Sequence, residues 1–458
     1  MSLNTPLSGA DASFVGGAHG ERAGDSVAGA GDVNGDGYDD ILIGAHYNNE
    51  GGNNAGKVYL IFGKESGWEA DLNLTNANAS FIGEAVNNEA GISVAGVGDV
   101  NGDNFDDFII GASGFKKVGS GQNYWGRAYL FYGRSDGWNK DVNISSANAS
   151  FTGEKYGSFA GFSVAGAGDV NNDSYNDLLI GAFRYDNGVD EHAGRTYLIF
   201  GNSTPYNANI SLSEANVSYT GEFEYDQAGY SVAGVGDVNG DEYDDILIAA
   251  NQYNASLGTE GKIYLIFGNE TQYLSSISLS NANASFIGEA QSDYAGTSIA
   301  GAGDVNNDSY YDILIGAPDN DQGGYGAGQT YLILGRSSGW NHNTPLSNVD
   351  GSFVGASADD NSGDSVSGSG DINGDGYDDI LVGANEGDKS GNSDGKVYLF
   401  LDFNYTTTPS GGVIPFFPIT SEDAIPSFPS LIFLPIMMGS ILIGALLIFR
   451  RKSSNILA

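Results

Sequence analysis

Short apolar runs of five or six residues recur along this chain, each bounded by clusters of Gly, Asn and Asp. In one unit they fall at 93–98, 107–111, 127–132 and 149–153. Runs this short, rich in Val, Ile, Tyr and Phe and punctuated by turn formers, predict β-strands and not helices. The unit returns every 67 to 70 residues. Six runs of the Val-Tyr-Leu-Ile-Phe-Gly type, from Val58 to Val397, mark its third strand. Ser-Phe-x-Gly segments at Ser13, Ser80, Ser150, Ser285 and Ser352, with Ser218-Tyr-Thr-Gly as the variant, mark its fourth.

Repeated units of four short strands predict an all-β, six-bladed β-propeller over residues 1–404, because radial repetition protects strand edges. The chain opens on a strand of the fourth type, and its last unit stops after the third, at Leu401. Residues 12–16 are therefore expected to complete the sixth blade and close the ring. An open solenoid of the same units is the alternative, but it has no need of that permuted start.

One loop, between first and second strands, is nearly constant. Its copies are Asp32-x-Asn34-x-Asp36-x-Tyr38-x-Asp40, Asp99-x-Asn101-x-Asp103-x-Phe105-x-Asp107 and Asp169-x-Asn171-x-Asp173-x-Tyr175-x-Asp177. Asp237-x-Asn239-x-Asp241-x-Tyr243-x-Asp245, Asp304-x-Asn306-x-Asp308-x-Tyr310-x-Asp312 and Asp371-x-Asn373-x-Asp375-x-Tyr377-x-Asp379 complete the set. Oxygens at alternate positions of a tight loop suit a hard cation with six to eight oxygen ligands, so up to six calcium ions are expected. Side chains at positions 1, 3, 5 and 9 would ligate, with the backbone carbonyl of the aromatic at position 7. Position 4 is always Gly or Asn, the residues that best tolerate positive φ. Magnesium prefers stricter geometry, and zinc prefers Cys or His ligands. The competing reading is an Asx-rich turn without metal.

Formal charge is −40, from 18 Lys and Arg against 58 Asp and Glu, which excludes a nucleic-acid partner that needs clustered cations. The chain has no cysteine, hence no disulfide or thiolate chemistry.

Residues 431–449 are uncharged and mostly apolar, about 28 Å as a helix, and predict a transmembrane span. Arg450, Arg451 and Lys452 open a basic tail over 450–458, while the preceding linker carries Glu422 and Asp423 and no cation. By the positive-inside rule the tail is cytoplasmic and the propeller extracellular. A buried core helix and a cytoplasmic tail-anchored domain are the alternatives. Residues 405–430 hold five of the ten prolines and read as an extended stalk. No export signal is visible at Met1-Ser-Leu-Asn, so the start lies upstream or the C-terminal helix directs export. Sequons at Asn78, Asn148, Asn216 and Asn283 share one repeat position, and others stand at Asn73, Asn143, Asn209 and Asn269.

These loops, with Phe81-Ile-Gly83, Phe286-Ile-Gly288, Gly316-Ala317-Pro318 and the Gly-x-Ser-Val-Ala-Gly-x-Gly-Asp-Val-Asn-Gly-Asp run at 24–36, 91–103 and 229–241, resemble the FG-GAP repeats of the integrin α-subunit propeller. The resemblance covers residues 1 to about 403. It implies calcium at the loops on the lower face and ligand recognition on the upper. Integrin propellers have seven blades and fill only some loops, whereas all six units here carry one.

Upper-rim links between second and third strands vary from unit to unit, as functional loops on a rigid scaffold do. Phe115, Lys116, Lys117, Tyr124, Trp125, Arg184, Tyr185 and Tyr253 are the candidate ligand residues, able to stack on sugars or anchor a protein. Alternatively these rings cover their own blades. Trp68, Trp138 and Trp340 share one offset and read as packing. No nucleophile and base are linked by a motif, and the four His share no position, so an enzyme is not expected. The expected function is adhesion or extracellular recognition of a protein or an envelope glycan. A glycan-hydrolysing propeller or a structural coat component is the alternative.

Overall fold

The computed structural model describes residues 12–117, 124–206, 208–254, 258–270, 276–387 and 395–401. Six blades follow one another along the chain, and the fold is all-β, as the repeat predicts. In the first, Ser26–Gly31 pairs antiparallel with Asp40–Ala45, then Lys57–Ile61, then Ala79–Ile82. The unit read above forms Ser93–Gly98, Asp107–Ala112, Arg127–Phe131 and Ala149–Thr152, within a residue of expectation.

Second strands such as Asp107–Ala112 are buried along their whole length. A sheet open to water on one side would alternate apolar and polar residues, whereas these are covered on both sides. The cover is the next blade: Val97, Ile109, Leu130 and Phe151 pack with Val164, Leu178, Ile180 and Tyr197. The core therefore lies between blades.

Each inner strand slips register at its Gly-x-Gly end, as between Gly166 and Gly168. Gly168 has φ +74, and a Cβ there would stand 2.1 Å from Asp244 Oδ2. That carboxylate is held in place because it accepts the N–H of Asp169 at 2.8 Å. Glycine is thus required twice, by the bulge dihedral and by the neighbouring blade.

Alternation did not reveal the outermost element, a two-residue strand followed by a 3-10 turn. Val142–Asn143 runs parallel to Ala79–Ile82, with Val142 opposite Phe81, so each third-to-fourth-strand link covers the preceding blade. The tryptophans sit in these links as packing residues, Trp138 edge-on to Phe62 at 6.2 Å and Trp340 to Phe267 at 6.1 Å. Here too lie the shared sequons. Asn78, Asn148, Asn216 and Asn283 accept backbone N–H bonds from Phe62, Tyr132, Phe200 and Phe267, and Asp350 does the same for Leu334. Their serines are buried, Ser80 donating to Asp141 at 2.9 Å. Both residues of the Asn-x-Ser pattern are accounted for by the fold itself.

One expectation is corrected. Residues 12–16 do not pair with the last blade: Phe14–Val15 runs parallel to Leu72–Asn73, with Phe14 opposite Leu72. Among the described residues the last blade has three strands, Ser362–Gly370, Asp379–Ala384 and Lys396–Phe400. The parallel contact is the one the outer strands of the first four blades make with the following link. Residues 14–15 therefore meet half of a fourth strand's contacts, and the antiparallel half is not formed. The stalk, span and tail read at 405–458 lie outside the described residues, among which no helix is long and apolar enough to cross a membrane.

Two glycines with left-handed dihedrals separate strain from blade packing. Gly188→Ala, at φ +87 with nothing within 4 Å, is expected to cost only the dihedral, about 1–2 kcal/mol. Gly168→Ala is expected to cost about 1.5–3 kcal/mol more, because the Asp244 bond must also break. Denaturant unfolding of both variants checks the difference.

Candidate functional site

In every copy of the constant loop the first aspartate folds the turn around its own carboxylate. Asp32 accepts the N–H groups of Gly35, Asp36 and Gly37 at 2.7, 3.0 and 2.7 Å, and Asp36 accepts that of Tyr38 at 3.1 Å. Asp99, Asp237 and Asp371 do the same in their loops. Position 4 takes positive φ throughout, from Asn307 at 55° to Gly240 at 79°, as its residue types predict. Position 6 does so too, even at Ser174, Glu242 and Ser309, where the sequence held no signal. Two departures from right-handed backbone, two residues apart, concentrate strain in the loop.

The ninth residue is of a different kind. Asp40, Asp107, Asp177, Asp245, Asp312 and Asp379 are all buried. Asp107 accepts the N–H of Val100 at 3.1 Å and of Gly133 at 2.8 Å, tying the loop to the end of the third strand. Burial pushes Asp107, Asp177 and Asp245 up to about 8, with the carboxylates at positions 5 and 1 adding repulsion. Asp312 reaches about 7 and Asp40 about 6 for the same reasons. Aromatic position 7 packs on the preceding loop: a Cβ on Gly35 would lie 2.5 Å from Phe105, and one on Gly102 2.6 Å from Tyr175.

This donor set is all hard oxygen, and Asn171 Oδ1 and Asp379 Oδ1, at positions 3 and 9, are buried without a hydrogen-bond partner. Both features fit a divalent cation. The carboxylates at positions 1 and 5 are turned to backbone N–H groups, however, and among the described residues no three Asp, Glu, His or Cys converge as a metal-ligand group.

On the opposite rim the eight ligand candidates divide. Phe115, Tyr185 and Tyr253 are buried, each under the first residue of its third strand: Arg127 3.6 Å from the Phe115 ring, Arg195 4.0 Å from Tyr185 and Lys262 4.8 Å from Tyr253. Those cations pair with Glu84, Glu154 and Glu222. These three aromatics cover their own blades, a role signalled by their common offset, three residues beyond Ala112, Ala182 and Ala250.

Lys117 and Arg184 are exposed, whereas Lys116, Tyr124 and Trp125 are half-buried. Lys116 stands 4.8 Å from the Tyr124 ring and Lys117 4.7 Å from Trp125. Tyr124 stacks on Phe159 at 5.3 Å, Phe159 meets Phe183 at 5.9 Å, and Phe162 bridges Phe183 at 4.5 Å and Tyr230 at 5.2 Å. Exposed Arg184 lies 5.4 Å from Phe159 and 5.2 Å from Phe183. An aromatic strip with basic flanks thus crosses the second to fourth blades. Sequence reading places Phe183 in a variable upper-rim link without making it a ligand candidate, and it missed Phe159, Phe162 and Tyr230. Phe162 and Tyr230 stand just before Ser-Val-Ala-Gly, where the other repeats have Asp25, Ile92, Thr297 and Asp364, and that variation inside a constant motif was the available signal.

A carboxyl pushed upward favours the folded state when protonated, so stability without bound cation is full below about pH 4 and falls as pH rises toward 8. Chelated protein is therefore expected to melt at a lower temperature at pH 8 than at pH 5, with the slope reduced in Asp107→Asn. Scanning calorimetry across that range checks the sign.

The FG-GAP repeat family model matches residues 23–61, 90–131, 228–266, 295–333 and 362–400. The third blade lies outside those matches and has the same four strands. Integrin alpha-6 of Gallus gallus is 33% identical over 157 residues, 33% of this chain and 12% of that protein. Integrin alpha-V of Gallus gallus is 32% identical over 231 residues, 50% of this chain and 20% of that one. Phosphatidylinositol-glycan-specific phospholipase D of Bos taurus is 32% identical over 208 residues, 44% and 24% respectively. The chain spans about a quarter or less of the length of each. The same repeat matched in five of its six blades, together with integrin α-subunits among its relatives, supports an integrin-α-like FG-GAP repeat protein.

Proposed function

We propose that this is a calcium-binding, membrane-anchored surface protein whose upper rim recognises an extracellular protein or an envelope glycan. The strip from Tyr124 through Phe159, Phe183 and Phe162 to Tyr230 carries the reading. Aromatic faces beside guanidinium and ammonium groups suit both sugar stacking and protein anchoring, and this basic sector stands out on a chain of charge −40. Similarity to integrin α-subunits supports recognition outside the cell. The anchor rests on the apolar run at 431–449 and the cations after it. Similarity to a phospholipase D covers 24% of that protein and carries none of its activity to this chain.

Calcium would be held by side chains such as Asp32, Asn34, Asp36 and Asp40, with the Tyr38 carbonyl, and by their counterparts. Its charge would relieve the repulsion among carboxylates at positions 1, 5 and 9. Support comes from the oxygen-only donors and from the unpartnered Asn171 Oδ1 and Asp379 Oδ1.

Calcium added to chelated protein is expected to raise the melting temperature, and Asp173→Ala to lower the calorimetric stoichiometry by one. An unchanged melt and stoichiometry would remove the metal from the proposal. Labelled full-length protein in detergent is expected to bind source cells saturably. Phe159→Ala and Arg184→Ala should each weaken that binding about 10-fold, near 1.4 kcal/mol, with melting temperature unchanged. Loss of binding after protease treatment of the cells assigns a protein ligand, and loss after glycosidase treatment assigns a glycan. Retention of full affinity by both variants would reject the strip.

A further inference from the structure

Third strands open on a cation in five of the six blades: Lys57, Arg127, Arg195, Lys262 and Lys396. At the seams where the second, third and fourth blades meet the blade before, a glutamate just beyond the preceding outer strand answers that cation. Arg127 Nη1 stands 3.3 Å from Glu84 Oε1, Arg195 Nη1 2.7 Å from Glu154 Oε1 and Lys262 Nζ 2.5 Å from Glu222 Oε1. The tyrosine two residues further along the strand shares the carboxylate, Tyr129 donating to Glu84 at 2.9 Å and Tyr197 to Glu154 at 2.8 Å. Residues two apart on a strand face the same way, so cation, phenol and carboxylate form one slot on the upper rim.

The fifth blade keeps the slot and loses the cation. Gln329 opens its third strand, Tyr331 follows two residues on, and Glu289 stands at the glutamate position. A second carboxylate joins here: Asp293, 2% exposed, accepts from Asn320 Nδ2 at 3.0 Å, and the same Nδ2 donates to Tyr331 Oη at 3.3 Å. Burial pushes the Tyr331 phenol and the Asp293 carboxyl up, and the charge of Glu289 beside them adds to both. Among the described residues no Lys, Arg or His pairs with Glu289 or Asp293. Gln329 is 2% exposed, and its Oε1 has no hydrogen-bond partner. Gln322 stands where the first blade has Glu50, so two neutral amides replace the Lys57–Glu50 pair, but Glu289 and Asp293 are not offset in that way. A buried amide oxygen sharing a slot with carboxylates is repulsive unless positive charge lies between them.

We propose that the slot formed by Gln329, Glu289, Asp293 and Tyr331 is a binding site for a monovalent cation, sodium or potassium, which takes the place of the lysine or arginine head group of the sister seams. Its donors are all oxygen. Gln329 and Asp293 are each 2% exposed and Tyr331 0%, so the slot admits an ion and excludes a bulky organic cation. One positive charge is what each sister slot holds, whereas divalent ions are held by richer carboxylate sets. The site lies on the rim opposite the constant loops and does not depend on any calcium they hold.

The test is the melting temperature of the full-length protein in detergent, with calcium present throughout, in sodium, potassium or choline chloride at one ionic strength. Choline is too large for the slot and leaves screening unchanged. Wild type is expected to melt several degrees higher in sodium or potassium than in choline. Gln329→Lys supplies the ammonium from the chain itself. It is expected to melt in choline as high as wild type does in its better cation, and to gain nothing from either. Glu289→Gln, which removes charge without adding bulk, is expected to lose the gain as well. Indifference of wild type to the cation overturns the proposal, as does a full gain retained by either variant. Calcium stoichiometry is expected to be the same in wild type and both variants, which separates this site from the loops. A stoichiometry lowered by one in the variants would assign the slot to calcium and overturn the monovalent reading.

Discussion

A blade of this protein cannot bury its own sheet. Second strands such as Asp107–Ala112 are apolar toward both faces, and the residues that cover them belong to the blades before and after. Stability is therefore a property of neighbours, much as in a repeat array where each unit contributes an interface and not a core. From that constraint follow the near-identity of the repeats, the glycines where blades approach closely, and the cost of leaving any one face bare. The 63% exposure of Val27 is a measure of the last point, because the Val or Ile at the same motif position is otherwise almost fully covered.

The constant loops join this packing to electrostatics. Their ninth aspartate is both a structural acceptor, bonded to backbone at two points of the hairpin, and a member of a carboxylate group that repels itself. Seam contacts begin in the same loops, since the backbone N–H of Asp169 and the carboxylate of Asp244 bridge two blades. A change of charge in one loop is thus felt by the loop itself and by the seam beside it. The opposite rim has no such duty, and its links are free to differ from blade to blade. It is there that aromatic and basic side chains gather on the second to fourth blades.

Much of the architecture was legible in the sequence because its causes are local. Turn residues bound each strand, the spacing of 67 to 70 residues counts the blades, and Gly or Asn at loop position 4 announces a left-handed backbone that the structure bears out. Trp138 and Trp340 were read as packing from their shared offset, and they pack. The same test of shared offset, applied to Phe115, Tyr185 and Tyr253, would have removed them from the ligand face. Ser174, Glu242 and Ser309 could not have been recognised as left-handed, because nothing in those residue types asks for it.

What the chain determined alone was therefore the repeat, its strands, its loop chemistry and its family, all set by contacts within a unit of about 70 residues. Tertiary structure decided the rest: which rings meet to form the strip through Phe159 and Tyr230, that the Asn-x-Ser positions serve as backbone acceptors, and that Phe14–Val15 lies on Leu72–Asn73. Each of these depends on residues far apart in sequence being brought together by the stacking of blades. Local propensity is silent about such pairs, because their partners exist only once the neighbouring blade has folded against them.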